Sequence, residues 1–222
     1  MKKTALFSTA CFPSLSYFVL LVKFGEVYWD EQECYQKQSY RNRYEILTPA
    51  GKQSLSIPVQ KISGTKQAVK DVRIDYKNDW QLQHLKTLRN AYLSSPFFVH
   101  YIDALAPFFT RPFRFLFDYN LQIMYTLLEE IGLNESVRII SEPCPVTSAL
   151  SDYRSAIHPK KESVLSRQCL PEYTQVFSPK QAFVSDLSIL DLLFNEGPNT
   201  ENLLKKSVRK PNSQFTIKKV HN

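Results

Sequence analysis

An α/β fold is predicted by three observations. The chain opens with a strand–helix–strand pattern, which requires a parallel strand pair. Two short strands around a proline–glycine turn come next, and from about residue 79 to 131 the apolar spacing becomes helical. The expected architecture is a small mixed sheet, built from the opening unit plus the hairpin and covered by the 79–131 helices. The C-terminal third reads as irregular. With 222 residues, 43% hydrophobic and 22% charged, the chain is long and apolar enough to bury a core. Five glycines and no GxGxxG or P-loop argue against a glycine-rich phosphate cradle.

Each element has a local cause. Thr4–Ala10 is an apolar run that reads as a buried strand. Ser14 is placed to cap a helix in which Leu15, Phe18, Val19 and Val22 share one stripe. Tyr17, Leu20, Leu21 and Phe24 make its other faces apolar too, so burial nearly all round is expected. Gly25 is its stop and Glu26–Trp29 the next strand. Tyr44–Leu47 and Ser54–Val59 form the hairpin around Pro49-Ala50-Gly51-Lys52. Trp80, His84 and Leu88 lie on one stripe of the next helix. Ser95-Pro96 breaks it and opens a second helix to about Phe109. A third carries a stripe from Phe113 to Ile131 whose polar member is Asn120, and it ends at Gly132. Val137–Ile140 is a short strand. Pro143 to Phe177 has no period. Ser188–Asn195 is a short apolar helix with Ser188 as N-cap and Gly197-Pro198 as its stop.

Charge is unevenly placed. The net charge is +7, and residues 202–222 carry six Lys or Arg with no acid; without them the rest holds about +1. One domain over residues 1–204 is expected, with 205–222 as a basic, disordered tail. A nearly neutral body argues against nucleic acid as a partner. Cys11, Cys34, Cys144 and Cys169 show no CxxC, and the four His offer no close ligand spacing, so no metal and no cofactor is expected. The N-terminus imitates an export signal. However, its apolar run before Cys11 is short, and Pro13 interrupts the apolar run beyond it, so a cytoplasmic protein without stable membrane insertion is expected. The oligomeric state is left open.

Residues 35–43, Tyr-Gln-Lys-Gln-Ser-Tyr-Arg-Asn-Arg, stand out. They pack Lys37, Arg41 and Arg43 with three carboxamides and two tyrosines, and no acid. Guanidinium forks suit phosphate or carboxylate, and carboxamides such as Asn42 suit hydroxyls. In a strand, Arg41 and Arg43 share a face and clamp one anion. The alternative is an edge strand whose charges discourage sheet-to-sheet pairing. His84 is the candidate general base, because burial on an apolar stripe moves its pKa; the alternative is a core histidine. His158 is a second candidate, on a loop. Asn120 needs a partner if buried. Tyr173 and Gln175 lie close in sequence to the helix at 188–195 and line a sugar pocket on one reading, or pack on the other.

Several segments together resemble the WbqC-like family. They are Cys11-Phe12-Pro13-Ser14-Leu15-Ser16-Tyr17-Phe18, Tyr35 to Arg43, Leu55-Ser56-Ile57-Pro58-Val59, Trp80 with His84, and Ala91-Tyr92 with Ser95-Pro96-Phe97-Phe98. Leu170 to Phe177 and Leu187 to Pro198 complete the set. Ser8, Thr9, Cys11 and Ser16 depart from the family's common opening, which has Gln, Pro, Tyr and Gly there. The resemblance implies a bacterial protein of surface-polysaccharide (O-antigen) biosynthesis. It implies transfer of a glycyl or other acyl group to a nucleotide-linked amino sugar, with a nucleotide sugar or other anionic small molecule as partner. A non-catalytic binding or scaffold protein of the same pathway is the other reading. On the first, His84 is catalytic, and Lys37, Arg41, Asn42, Arg43, Asn120, Tyr173 and Gln175 bind substrate.

Overall fold

The computed structural model describes residues 4–61, 67–141, 150–163, 165, 167–178 and 180–209. Strand β1 (Thr4–Phe7), helix α1 (Leu15–Phe24) and strand β2 (Glu26–Asp30) form the expected opening unit, with β1 and β2 parallel in the register Ala5↔Val27 and Phe7↔Trp29. Ala5, Leu6 and Phe7 are all fully buried. A strand buried on consecutive residues is covered on both faces, as parallel sheets are. In α1, every residue from Leu15 to Leu21 is buried, and Gly25 closes the helix at φ 74°, a left-handed value that glycine adopts without a Cβ penalty.

Hairpin strands β3 (Arg43–Thr48) and β4 (Gly51–Ser56) pair antiparallel. Helices α2 (Trp80–Tyr92), α3 (Phe98–Leu105), α4 (Pro107–Thr110) and α5 (Leu116–Ile131) come next. Then come β5 (Ser136–Ile140), β6 (Leu150–Asp152), α6 (Ile189–Glu196) and α7 (Thr200–Val208). The α/β class is therefore as expected, and the strand partners refine it. The hairpin stands as its own two-stranded ribbon, while the main sheet has the order β5-β2-β1-β6 with every pair parallel. The outer edge of β3 is occupied by other groups: Ser188 N donates to Glu45 O at 2.8 Å, and Leu47 N donates to the Tyr92 hydroxyl at 3.0 Å. Strand β6 falls in the stretch read as irregular. Val72 and Ile74 bond across to neighbouring segments: Ile74 bridges to Val59, and Val72 O accepts from Leu116 N at 2.8 Å.

The 186–189 segment docks onto the start of α1. Leu15 N donates to Leu187 O at 2.9 Å, Ile189 N to Pro13 O at 2.8 Å, and Ser188 Oγ to Phe12 O at 2.9 Å. Ser14 precedes α1 without a side-chain cap bond; Ser16 N donates instead to Asp186 Oδ1 at 2.7 Å. An orphan amide of the first turn is thus served by a carboxylate 170 positions away. Ser188 caps α6 as expected, accepting from Leu190 N. Helix α7 continues to Val208, with Leu204 and Ser207 buried, so the boundary drawn at 204 falls inside a packed helix. Residues 210–222, most of the basic tail, lie outside the described residues, as do Cys144 and His221.

Candidate functional site

Parallel strands of an open α/β sheet end at one edge, and polar residues just beyond them gather there. Asp30 closes β2 and Asp152 closes β6. Arg154 bridges them, donating from Nη1 to Asp30 Oδ2 at 3.0 Å and from Nη2 to Asp152 Oδ2 at 2.8 Å. Beyond β2, Glu33 receives a two-pronged bond from Arg41, Nε to Oε1 at 3.0 Å and Nη2 to Oε2 at 2.7 Å. Both partners are nearly sealed, with Arg41 2% and Glu33 7% exposed. Burial pushes the Glu33 carboxyl above its ordinary range, against the pull of Arg41 and Arg154. A cleft of about 240 Å³ opens here, lined by Glu33, Cys34, Gln36, Asp152, Arg154 and Ser155.

The extended segment after Glu33 alternates its side chains. Cys34 and Gln36 face this cleft, whereas Tyr35 and Lys37 face a second one of about 300 Å³. Asn42, Arg43 and Lys61 also line the second cleft, and no acid does. Arg43 donates to Ser56 Oγ at 3.1 Å, which fixes its direction. Asn42 Nδ2 donates to Ile57 O at 2.9 Å, while its Oδ1 has no partner among the described residues. His158 Nδ1 accepts from Lys160 N at 3.1 Å, and the Lys160 ammonium donates to Gln38 Oε1. Burial lowers the His158 pKa, and the charges of Lys161, Arg41, Lys160 and Arg43 lower it further. Cations converge on the 35–43 segment from two sides.

The structure brings Lys37, Asn42 and Arg43 together on one cleft, which the other predicted site residues do not line. Arg41 and Arg43 do not clamp one anion. Arg41 precedes β3 in a turn closed by Asn42 N to Ser39 O, so strand alternation does not reach it, and its guanidinium is occupied by Glu33. His84 is only 5% exposed and lines neither cleft. Its Nδ1 lies 3.1 Å from the Tyr44 hydroxyl, it bonds the Ser56 backbone, and the Trp80 ring packs against it edge-on. Asn120 is fully buried beneath the loop, donating from Nδ2 to Arg41 O at 2.8 Å, with Oδ1 unpartnered among the described residues. Tyr173 and Gln175 both donate to Asp191 Oδ2, at 2.6 and 2.9 Å, and line neither cleft.

Burial lowers the His84 pKa to about 4, the Ser56 bond working against it. The folded value lies below the ordinary 6.5, so the unfolded chain takes up the proton first. Stability present above pH 6.5 should therefore be lost as pH falls toward 4, by roughly 3 kcal/mol from this group. Urea unfolding from pH 7 to 4.5, compared with His84→Gln, checks this. The substitution should flatten the pH dependence, and identical slopes would show that His84 does not titrate as its burial requires.

Glu33, Asp30, Asp152 and Arg154 were not singled out from the sequence. The available signal was positional: Asp30 comes directly after a strand in a parallel unit, where sheet-edge ligands bind. Asp152 and Arg154 carried no such signal, because their strand was not recognisable. Among the described residues, no group of three or more His, Cys, Asp or Glu is placed to hold a metal, and Cys11 and Cys34 are free thiols. No helix among them is long and apolar enough to cross a membrane.

Comparison with known proteins bears on the same region. The model of the WbqC-like protein family matches residues 9–158, more than half of the chain and all of both clefts. The chain belongs to the WbqC-like family. It is also similar to the uncharacterized protein Rv1507c of Mycobacterium tuberculosis, 32% identical over 110 residues. That match covers 49% of this chain and 47% of the relative, so the chain spans about half the length of the curated relative it matches. No solved structure matches. In this WbqC-like chain the matched residues include β2 and β6, whose ends carry Asp30, Asp152 and Arg154.

Proposed function

We propose that this WbqC-like protein binds a nucleotide-linked amino sugar of bacterial surface-polysaccharide synthesis and serves transfer of a glycyl or other acyl group to its amine. The observation that carries the reading is the acid-free cleft of Lys37, Asn42, Arg43 and Lys61, one extended segment away from the carboxylates at the sheet edge. Two kinds of chemistry meet across residues 33–38. Cations hold phosphate, and a carboxylate takes a proton. In the transfer, the amine nitrogen forms the new amide bond as the acyl–leaving-group bond breaks. A base removes the nitrogen's proton, which then passes to the leaving group. Glu33 and Asp152 line the cleft where such a base is needed, and the raised pKa of Glu33 suits the role. His84, enclosed by Tyr44, Trp80 and Ser56, is not available to it.

The test is thermal stabilisation by nucleotide sugars, followed by product analysis with an acyl donor. A ligand at 100 times its dissociation constant adds about 2.7 kcal/mol to stability. Arg43→Ala should weaken binding by about 1.5–3 kcal/mol, the range for a bond to a charged group. A folded protein that no nucleotide sugar stabilises would refute the binding reading. A second reading, a non-catalytic binding or scaffold protein, is favoured by one observation: Glu33 and Asp152 are both already ion-paired. Tight binding with no acyl-sugar product would establish it.

A further inference from the structure

Gln60 borders a third cleft, of about 390 Å³, whose other walls are Arg73, Ile74, Tyr76, Phe113 and Arg114 with Pro112. The backbone beneath it is cross-linked. Gln60 N donates to Arg73 O at 2.9 Å, Ile74 N to Arg114 O at 3.2 Å, and Leu116 N to Val72 O at 2.8 Å. The Arg73 and Arg114 guanidinium carbons lie 5.8 and 5.1 Å from the centroid of the same Phe115 ring. No acid lines the cleft, and neither guanidinium has an ion pair with a described residue. Two guanidiniums that line one cleft without an acid give it a positive field, which an anion in the cleft neutralises.

Beside them stands a fixed aromatic face. The Tyr76 hydroxyl accepts from Phe113 N at 2.7 Å and donates to Phe113 O at 3.1 Å, which locks the side chain, yet the residue remains 37% exposed. A locked, exposed ring is a stacking platform for a planar group, and it costs little side-chain entropy to use. Guanidiniums next to such a ring suit a phosphate joined to an aromatic base.

We propose that this cleft is the nucleoside subsite: Arg73 and Arg114 hold the 5′-phosphate of a nucleotide, and its base stacks on Tyr76. The sugar phosphate lies across Gln60, in the cleft of Lys37 and Arg43 that shares this residue. The two volumes together fall in the range of small-molecule sites, about 300–1,000 Å³. The inference rests on the nucleotide-sugar reading for its ligand and adds which end goes where.

Calorimetric titration with nucleoside monophosphates of the common bases, and separately with sugar 1-phosphates, tests it. Arg73→Ala and Arg114→Ala should each weaken the best monophosphate tenfold or more, and leave sugar 1-phosphate affinity within about twofold. Arg43→Ala should do the reverse. Neither Arg73 nor Arg114 is buried, so the variants should keep the parental circular dichroism. Monophosphate affinity unchanged in both variants overturns the subsite, while loss of sugar-phosphate binding in Arg43→Ala would leave the broader reading standing. Conversely, an inert Arg43→Ala with a sensitive Arg114→Ala would sink the broader reading and keep the subsite. If the parent protein binds no monophosphate at millimolar concentration, the subsite does not exist.

Discussion

Asp191→Ala should lower stability by roughly 4 kcal/mol, because it strands the buried Tyr92 hydroxyl and the half-buried Tyr173 hydroxyl, which each cost about 1–3 kcal/mol unpaired, and takes one of the two acceptors from Gln175 Nε2, which keeps Val184 O. The Asp191 carboxylate accepts from the Tyr92 hydroxyl at 2.7 Å, the Tyr173 hydroxyl at 2.6 Å and Gln175 Nε2 at 2.9 Å. Burial pushes its pKa up, and these three donors pull it back. Tyr92 also accepts from Leu47 N, so one carboxylate joins α6 to α2, to β3 and to the 173–175 segment. At about 2–4 °C per kcal/mol for a protein of this size, melting should fall by roughly 8–16 °C. Asp191→Asn keeps the shape and one carbonyl acceptor, and should fall between the two. Calorimetry decides the matter, and an alanine variant melting within about 2 °C of the parent, the shift of a single surface change, would show that the network is dispensable.

The second large effect is expected at Glu33 and Arg41. Removing one partner of a buried ion pair leaves the other charge uncompensated, at about 3–5 kcal/mol. Glu33→Ala and Arg41→Ala should each lie in that range, since the pair is 7% and 2% exposed. The double variant should cost much less than the sum, because no orphaned charge remains. Chemical denaturation of all four proteins gives the coupling directly. Additive losses would mean that Arg41 acts through its other side-chain contact, the Ser39 hydroxyl. Either single change should also loosen the segment that separates the two clefts, so ligand binding should weaken with stability.

The features legible in the sequence were those that a short window contains. The apolar runs of β1 and α1, the left-handed stops at Gly25 and Gly132, and the Ser188 cap are local signals, and each forms where it is read, although β1 ends at Phe7 and not at Ala10. Strand β6 is three residues long and exists because β1 offers it a free edge, so nothing near Leu150 announces it. The acid-free composition of residues 35–43 pointed to a segment that lines a cleft. It did not reveal that Glu33, just outside that window, neutralises Arg41, because an ion pair depends on chain direction and not on composition. Likewise, the apolar stripe placed His84 in a helix correctly. Its fate was decided by Tyr44, forty positions earlier, on a strand whose packing the stripe does not encode.

The dependence of α1 on residues 186–189 has a consequence for biosynthesis. Helix α1 is apolar on nearly every side, and the carboxylate that terminates its amide ladder is translated 170 positions after the amide it serves. At about 5–20 residues per second, the intervening chain takes on the order of 10–40 seconds to appear. Throughout that interval the nascent helix has neither its cap nor the α6 and α7 surfaces it packs against. Final packing of α1 therefore waits for residues 186–208. A chain truncated before Asp186 should aggregate rather than give a soluble folded fragment, which sedimentation of the expressed fragment checks.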